Sequence, residues 1–112
     1  MIAKACAKYI RISPRKVRQV IKLVKNKDVN TALAILKNIN KRAKYPLEKV
    51  IKSAVNNAKQ KGFNQDVLMI SKLIANPGPI LRRYRAASFG RAVRIRRRTS
   101  HILVELDVKK AG

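Results

Sequence analysis

The sequence predicts an α+β fold in which three helices pack on a small antiparallel sheet and a long β-hairpin protrudes from that domain. In three segments, apolar residues recur at helical spacing. Other segments alternate apolar and polar residues or are rich in β-branched residues, which is typical of strands. Apolar residues make up 46% of the 112 residues and are spread along the chain. We therefore expect residues 1–112 to form a single small domain.

The N-terminal part predicts a strand followed by an amphipathic helix. From Ala3 to Ile12, short apolar residues are interleaved with basic ones, as in a strand. Ser13 and Pro14 then predict a helix start, because serine can cap free N–H groups and proline at the first helical position has no donor to leave unsatisfied. Apolar residues follow at the spacing of one helical face: Val17, Val20, Ile21 and Val24. The outer faces of this helix are basic.

Two more helices are predicted in the middle of the chain. Asn30 can cap a second, short helix. The residues that this helix should bury are Ala32, Leu33, Leu36 and Ile39. A third helix should run from near Lys44 to Lys61, with Pro46 in its first turn and Gly62 as its stop. Its inward residues should be Leu47, Val50, Ile51, Ala54 and Ala58.

Two C-terminal strands flank a segment of unusual composition. Val67 to Ala75 is rich in apolar and β-branched residues, and apolar residues alternate again from Ile102 to Val108. The segment between them is far longer than a hairpin loop and has too few apolar residues for a core. We predict that residues 79–98 form an extended basic hairpin arm, which would reach roughly 30 Å beyond the domain if each side has nine extended residues.

The charge of the chain requires an anionic partner. Lys and Arg number 28 against five acids, which gives a formal net charge of +23. RNA, DNA, an anionic membrane surface or an acidic protein could supply the opposite charge. The most apolar stretch, Val67 to Ala75, is too short to span a membrane and is broken by Ser71 and Lys72. No signal-peptide core is evident at the N-terminus, so we expect a cytosolic, unprocessed protein that does not act at a membrane.

Arginine is the only basic residue type between Leu73 and Val108. A guanidinium can grip a phosphate through two hydrogen bonds or stack on a base, whereas a lysine ammonium acts as a point charge. Eight arginines fall in this region: Arg82, Arg83, Arg85, Arg91, Arg94, Arg96, Arg97 and Arg98. Tyr84 and Phe89 lie among them and could either stack on unpaired bases or form a local cluster within the arm. This composition favours binding to folded nucleic acid.

Catalytic and metal-binding chemistry finds little support in the sequence. His101, Glu105 and Asp107 share one strand face, but side chains along one strand do not converge on an ion as metal ligands do. Cys6 has no second cysteine to pair with, and we expect it to be a small buried strand residue. No phosphate-binding glycine loop is present. We therefore predict a protein that is not an enzyme, without cofactor, metal or small-molecule substrate.

Several motifs resemble those of one known family. The C-terminal ones are Gly78-Pro79, Arg82-Arg83, Gly90-Arg91-Ala92 and Arg97-Arg98-Thr99-Ser100-His101-Ile102. The others are Arg11-Ile12-Ser13-Pro14-Arg15-Lys16-Val17-Arg18, Asn40-Lys41-Arg42-Ala43 and Ser53-Ala54-Val55-Asn56-Asn57-Ala58. In order and spacing they resemble the universal large-subunit ribosomal protein twenty-two family, of the bacterial type, over nearly the whole chain.

This resemblance implies a structural constituent of the large ribosomal subunit that binds and helps assemble its RNA. It further implies a ribosome-bound, cytoplasmic location, contacts with several RNA domains and with neighbouring ribosomal proteins, and a hairpin tip that lines the nascent-peptide exit tunnel and so meets the nascent peptide. In the family, the segment that matches Leu81, Arg82 and Arg83 is associated with macrolide resistance. Where many members have Pro-Arg-Ala, this chain has Ala86-Ala87-Ser88.

From the charge and the resemblance together we predict two sets of site residues. The RNA-binding residues are Arg11, Arg15, Lys16, Arg18, Lys41, Arg42, Arg82, Arg83, Arg85, Arg91, Arg94, Arg96, Arg97, Arg98, Thr99, Ser100 and His101. The tunnel-lining tip consists of Leu81, Arg82, Arg83, Tyr84, Arg85, Ala86, Ala87, Ser88, Phe89 and Gly90. Basic helix faces can also be ordinary solvated surface, and a histone-like, DNA-binding protein would share the same net charge.

Overall fold

The computed structural model describes residues 2–78, 81–86 and 92–108 and has the predicted α+β architecture. The elements in chain order are β1 (Ala3–Ile10), α1 (Pro14–Val24), α2 (Val29–Asn38), α3 (Lys44–Gln60), β2 (Leu68–Pro77), β3 (Leu81–Ala86), β4 (Ala92–Arg97) and β5 (Ser100–Val108). A single 3₁₀ turn, Gln65–Val67, leads into β2. The three helices and the small antiparallel sheet are confirmed.

Helix α1 begins where the sequence predicts. Ser13 is the N-cap residue in extended conformation and Pro14 is in the first turn, although the Ser13 side chain makes no capping hydrogen bond. The four apolar residues of the predicted face, Val17, Val20, Ile21 and Val24, are all buried. After the helix ends, Asn26 takes a positive φ of 63°, a conformation that asparagine tolerates better than most residues. This turn redirects the chain toward α2.

Helix α2 begins earlier than predicted, so the proposed Asn30 cap is wrong. Asp28 is the N-cap residue, and its carboxylate accepts a hydrogen bond of 3.3 Å from the backbone N–H of Thr31. Asn30 lies inside the first turn, where its side-chain amide donates to the Asp66 carboxylate at 2.8 Å. The earlier start buries Val29 completely.

Helix α3 confirms its predicted bounds and its glycine stop. Gly62 has a φ of +91°, which residues with a Cβ rarely adopt, and the N–H of Phe63 donates back to the Ala58 carbonyl at 3.1 Å. The last turn is fixed to the start of β1. There the Asn57 amide donates to the Lys4 carbonyl at 3.0 Å and the Lys61 ammonium donates to the Ile2 carbonyl at 2.6 Å.

The three-stranded sheet has the antiparallel order β1-β5-β2. Alternate residues of the central strand, Ile102, Val104 and Leu106, are fully buried against the helices. Residues of the other parity lie on the outer face, and this corrects the prediction for Cys6. Cys6 is exposed because it shares its parity on β1 with Lys4 and Lys8, opposite to the buried Ala3.

Strands β3 and β4 form a separate two-stranded antiparallel sheet between β2 and β5 in the chain, which is the predicted hairpin arm. Their register runs from Leu81 opposite Arg97 to Ala86 opposite Ala92. The radius of gyration is 17.2 Å, whereas a compact domain of this length has about 13 Å. The chain is therefore elongated, with extents of 65 × 25 × 17 Å, as a protruding arm requires.

Candidate nucleic-acid interface

The arm leaves the domain at one end, here called the hairpin end, where Ile10, Ser100 and Pro77 lie side by side in the sheet. One residue further on, the N–H of Gly78 donates to the Thr99 carbonyl at 2.9 Å. The opposite end, here called the far end, holds Ala3, Leu68 and Val108. The sequence-predicted site residues can be placed relative to these two ends.

Helix α1 starts at the hairpin end and runs to the far end. Arg18, in its second turn, donates to the carbonyl of Ala75 near the end of β2, while Lys27, just past the helix, accepts from the N–H of Ile70 at 2.9 Å. The predicted residues Arg11, Arg15, Lys16 and Arg18 are exposed, and they belong to the loop before this helix and its first two turns. The structure therefore brings these four cations together at the hairpin end.

Helix α3 runs the same way, because its last turn is bonded to the start of β1. Its 17 residues span about 25 Å, which matches the length of the eight-residue strand β1. The first turn of α3 and the residues before it consequently lie toward the hairpin end. The predicted residues Lys41 and Arg42 are exposed there.

Two exposed tyrosines on this side of the domain were missed by sequence reasoning. Tyr45 is 65% exposed, and the ammonium of Lys44 lies 5.2 Å from its ring centroid. Tyr9 is also 65% exposed and lies at the end of β1. The signal for Tyr45 was available in the sequence, since it directly follows the basic run from Lys41 to Lys44. Exposed aromatic rings beside cations are suited to stacking on bases.

Thr99 and Ser100 are buried at the base of the arm, and their role in RNA binding stays a prediction. Ser100 has no exposed surface, and its hydroxyl donates to the Ile12 carbonyl at 2.6 Å. Thr99 is 3% exposed. Both residues come immediately after the arm, where the chain re-enters the sheet, and both side chains face the protein. The Ser100 hydroxyl thus holds the base of the arm.

His101 has a defined structural role as well. Its Nδ1 accepts a hydrogen bond of 3.1 Å from the backbone N–H of Tyr9, so the ring hydrogen must be on Nε2. The Tyr9 and His101 rings meet edge to face, with centroids 5.0 Å apart. Tyr9 has a φ of 59°, an unusual backbone conformation for an aromatic residue. The imidazole thus holds the irregular end of β1 against the base of the arm.

Gly78 is required by close packing at the same place. A Cβ on this residue would lie 2.5 Å from Oγ1 of Thr99 and 3.2 Å from Cε1 of His101. The backbone of Gly78 approaches the first residues of β5 more closely than any side chain would allow.

A groove opens between the start of α1 and the base of the arm. Its volume is about 360 Å³. The residues that line it are Ser13, Pro14, Arg15, Arg18, Pro77, Gly78, Arg98 and Thr99. Three of these carry guanidinium groups and none is acidic. Residues far apart in the sequence thus form one basic concavity.

The acids of the described residues concentrate toward the far end. Asp28 caps α2 and bridges to Met69 at the start of β2, and Met69 pairs in turn with Asp107 near the end of β5. Asp66 accepts from Asn30, which accepts from Gln65 at 2.7 Å. Three of the five acids of the chain therefore lie at the end opposite the arm, where they offset part of the positive charge of nearby lysines such as Lys25 and Lys27.

The arm arginines are placed by strand register. Arg82 is opposite Arg96, Tyr84 is opposite Arg94, and Arg97 is opposite Leu81, while Arg83 and Arg85 are opposite apolar residues of β4. Of the predicted tip, Ala87, Ser88, Phe89 and Gly90 lie outside the described residues, as does Arg91. Arg98 is exposed where the arm rejoins the domain.

The described part of the chain offers neither a metal site nor a membrane-spanning helix. No group of three or more histidine, cysteine, aspartate or glutamate side chains there could hold a metal ion. Within residues 2–78, 81–86 and 92–108, no helix combines the length and the apolar character needed to cross a membrane.

These features define a small, strongly basic α+β protein with an arginine-rich β-ribbon, and comparison with known proteins places it further. A family model described as ribosomal protein L22p/L17e matches residues 5–107. The large ribosomal subunit protein uL22 of Sulfurihydrogenibium sp. is 51% identical over 108 residues, covering 96% of this chain and 93% of that protein. The uL22 proteins of Halothermothrix orenii and Pelotomaculum thermopropionicum are 46% and 49% identical, with complete coverage of both chains.

The chain belongs to the ribosomal protein L22p/L17e family. It is accordingly a structural constituent of the large ribosomal subunit and not an enzyme, with a ribosome-bound, cytoplasmic location. Its partners are ribosomal RNA and other ribosomal proteins. The resemblance noted in the sequence is confirmed.

Proposed function

We propose that this protein binds and helps assemble large-subunit ribosomal RNA through the hairpin end of its domain and the arginine arm. The observation that carries the proposal is the distribution of charge: cations of the α1 start, of the α3 start and of the arm base gather at one end, while three of the five acids lie at the other. A surface of concentrated positive charge attracts a polyanion and orients it. RNA therefore meets the hairpin end first.

The arm in particular needs an anion. Arg82 is directly opposite Arg96 in the β3–β4 register, and like charges in such positions destabilise a β-ribbon. An RNA phosphate between or beside these residues turns that repulsion into two charge-assisted attractions. The two-stranded arm is thus most stable when embedded in RNA. Residues 79–98 act as a polyvalent phosphate clamp, and the rest of the single domain over residues 1–112 acts as its handle.

The position of the arm also supports a role for its tip. In the register, Leu81 opposite Arg97 is the pair nearest the domain and Ala86 opposite Ala92 the pair furthest from it, so a ribbon that penetrates RNA carries the Ala86 end of the predicted tip, Leu81 to Gly90, furthest into the subunit. We propose that this segment lines the nascent-peptide exit tunnel and meets the nascent peptide, and that the protein contacts several RNA domains along the way. Neighbouring ribosomal proteins would meet the parts of the domain that RNA leaves free.

RNA binding can be tested by replacing residues 79–98 with an Asn-Gly turn. The variant loses all eight arginines of the arm, so affinity for in vitro transcribed large-subunit ribosomal RNA should fall by about a hundredfold at moderate salt, with a much shallower salt dependence. Filter binding at several salt concentrations measures both quantities. Thermal unfolding should show that the domain remains folded, since the described core cluster lies outside the arm.

The matched control keeps the arm and changes all eight arginines to lysine. This variant retains the charge and so most of the salt dependence, but it loses the guanidinium fork and with it part of the preference for structured RNA over duplex DNA. If deletion of the arm left RNA affinity unchanged, or if the native protein bound duplex DNA equally well, the RNA-binding proposal would be wrong and a histone-like role would be favoured.

A further inference from the structure

We propose that the groove between the start of α1 and the base of the arm is a binding site for the sugar-phosphate backbone of one RNA nucleotide, an inference that rests on the proposed function. The site lies at the base of the arm, and apart from Arg98, the last arm residue, its walls come from the folded domain. Arg15 and Arg18 form one wall and Arg98 forms part of the other.

The size of the groove favours a nucleotide over a free ion or a duplex. Its volume of about 360 Å³ is more than a phosphate needs alone. Ligand sites of small organic molecules begin at about 300 Å³. One nucleotide of a single strand can therefore enter, whereas a double helix can only lie across the opening.

The charge of the groove favours the phosphate. Three guanidinium groups line it without any acidic residue, so no carboxylate of the groove competes with an external anion for them. Arg18 is held in place because its Nε and one Nη donate to the Ala75 carbonyl at 3.1 and 2.8 Å. A guanidinium has five donor hydrogens, so this fork leaves others for a ligand. Fixing the side chain in advance lowers the entropy cost of binding.

The remaining walls keep the groove open and positive. Gly78 has no side chain to fill it, and its packing against Thr99 and His101 fixes the position of its backbone. Helix α1 begins at the groove with no acidic residue in its first turn, so the positive end of the helix dipole adds to the arginine charges. Ser13, whose side chain makes no capping bond, can donate its hydroxyl to a phosphate oxygen.

The test compares two double variants of the full-length protein. R15A/R98A removes two groove cations that hold no described structural hydrogen bond, while K25A/K27A removes the same charge from exposed residues at the far end of α1. With in vitro transcribed large-subunit ribosomal RNA, the groove variant should bind at least tenfold more weakly and its salt slope should fall by about two. The control should change affinity less than threefold.

A second variant and a second measurement distinguish a specific nucleotide site from general electrostatic attraction to RNA. R15K/R98K keeps the charge, so the salt slope should stay nearly native while affinity falls threefold or more, because lysine cannot form the bidentate contact. Phosphate-ethylation interference should show one or two RNA phosphates whose modification blocks binding of the native protein but no longer affects R15A/R98A. Interference at the remaining phosphates should be unchanged.

The outcomes for the two proposals differ. If R15A/R98A behaves like K25A/K27A and the interference pattern is the same as for the native protein, the groove is not a nucleotide site, although RNA binding by the arm still stands. If the native protein shows no preference for RNA, both proposals are overturned together. Circular dichroism and thermal unfolding of each variant exclude misfolding as the cause of a loss.

Discussion

At the scale of single residues, several polar groups near the arm serve to fix its base. Ser100 donates to the Ile12 carbonyl and His101 accepts from Tyr9, so the last residues before α1 and the first residues of β5 are tied together. The sequence indicated a specific motif at Thr99 to Ile102 but not this role. Burial of Thr99 and Ser100 depends on how distant residues come together, 88 positions apart for Ser100 and Ile12, which periodicity cannot reveal.

We predict that the His101 bond to Tyr9 contributes measurably to stability. In H101F the N–H of Tyr9 loses its acceptor, which should cost about 1 kcal/mol and lower the Tm by roughly 4 °C. H101N should retain most of the stability, because its side-chain oxygen can take the position of Nδ1. Thermal unfolding followed by circular dichroism measures both. Equal losses in the two variants would show that ring packing, rather than the hydrogen bond, is what His101 provides.

At the scale of elements, helical spacing and glycine or proline signals located all three helices. The start of α2 was misjudged, because both Asp28 and Asn30 are good N-cap residues and only the burial of Val29 decides between them. The parity of Cys6 with Lys4 and Lys8 could have been used to predict its exposure. The arm was recognised from composition, but its register needed the structure.

The cap of α2 gives a second prediction. D28A removes the acceptor of the Thr31 N–H and should destabilise the protein by about 1 kcal/mol. D28N should lose less, since asparagine caps helices about as well as aspartate. N30A tests the rejected alternative and should cost less than D28A. Urea unfolding of the three variants measures these differences. A larger loss in N30A than in D28A would return the cap to Asn30.

At the scale of the whole molecule, the chain separates a stable basic handle from an arginine arm. Net charge and the choice of arginine predicted a nucleic-acid partner from the sequence. The groove could not be predicted, because it joins residues 13–18 with residues 77–99, which only the folded sheet brings together. The gathering of acids at the far end could not be predicted either, because it follows from the antiparallel order of the elements. Both features, the groove and the acids at the far end, bear on how the domain contacts RNA.

The most direct test of this orientation uses tethered hydroxyl-radical probing in reconstituted large subunits. The exposed native thiol is first removed in a C6S background. A chelated iron is then attached to K41C at the hairpin end or to K27C at the far end. We predict strong cleavage of large-subunit ribosomal RNA from K41C and weak cleavage from K27C. Stronger cleavage from K27C would mean that the far end faces the RNA and would contradict the account.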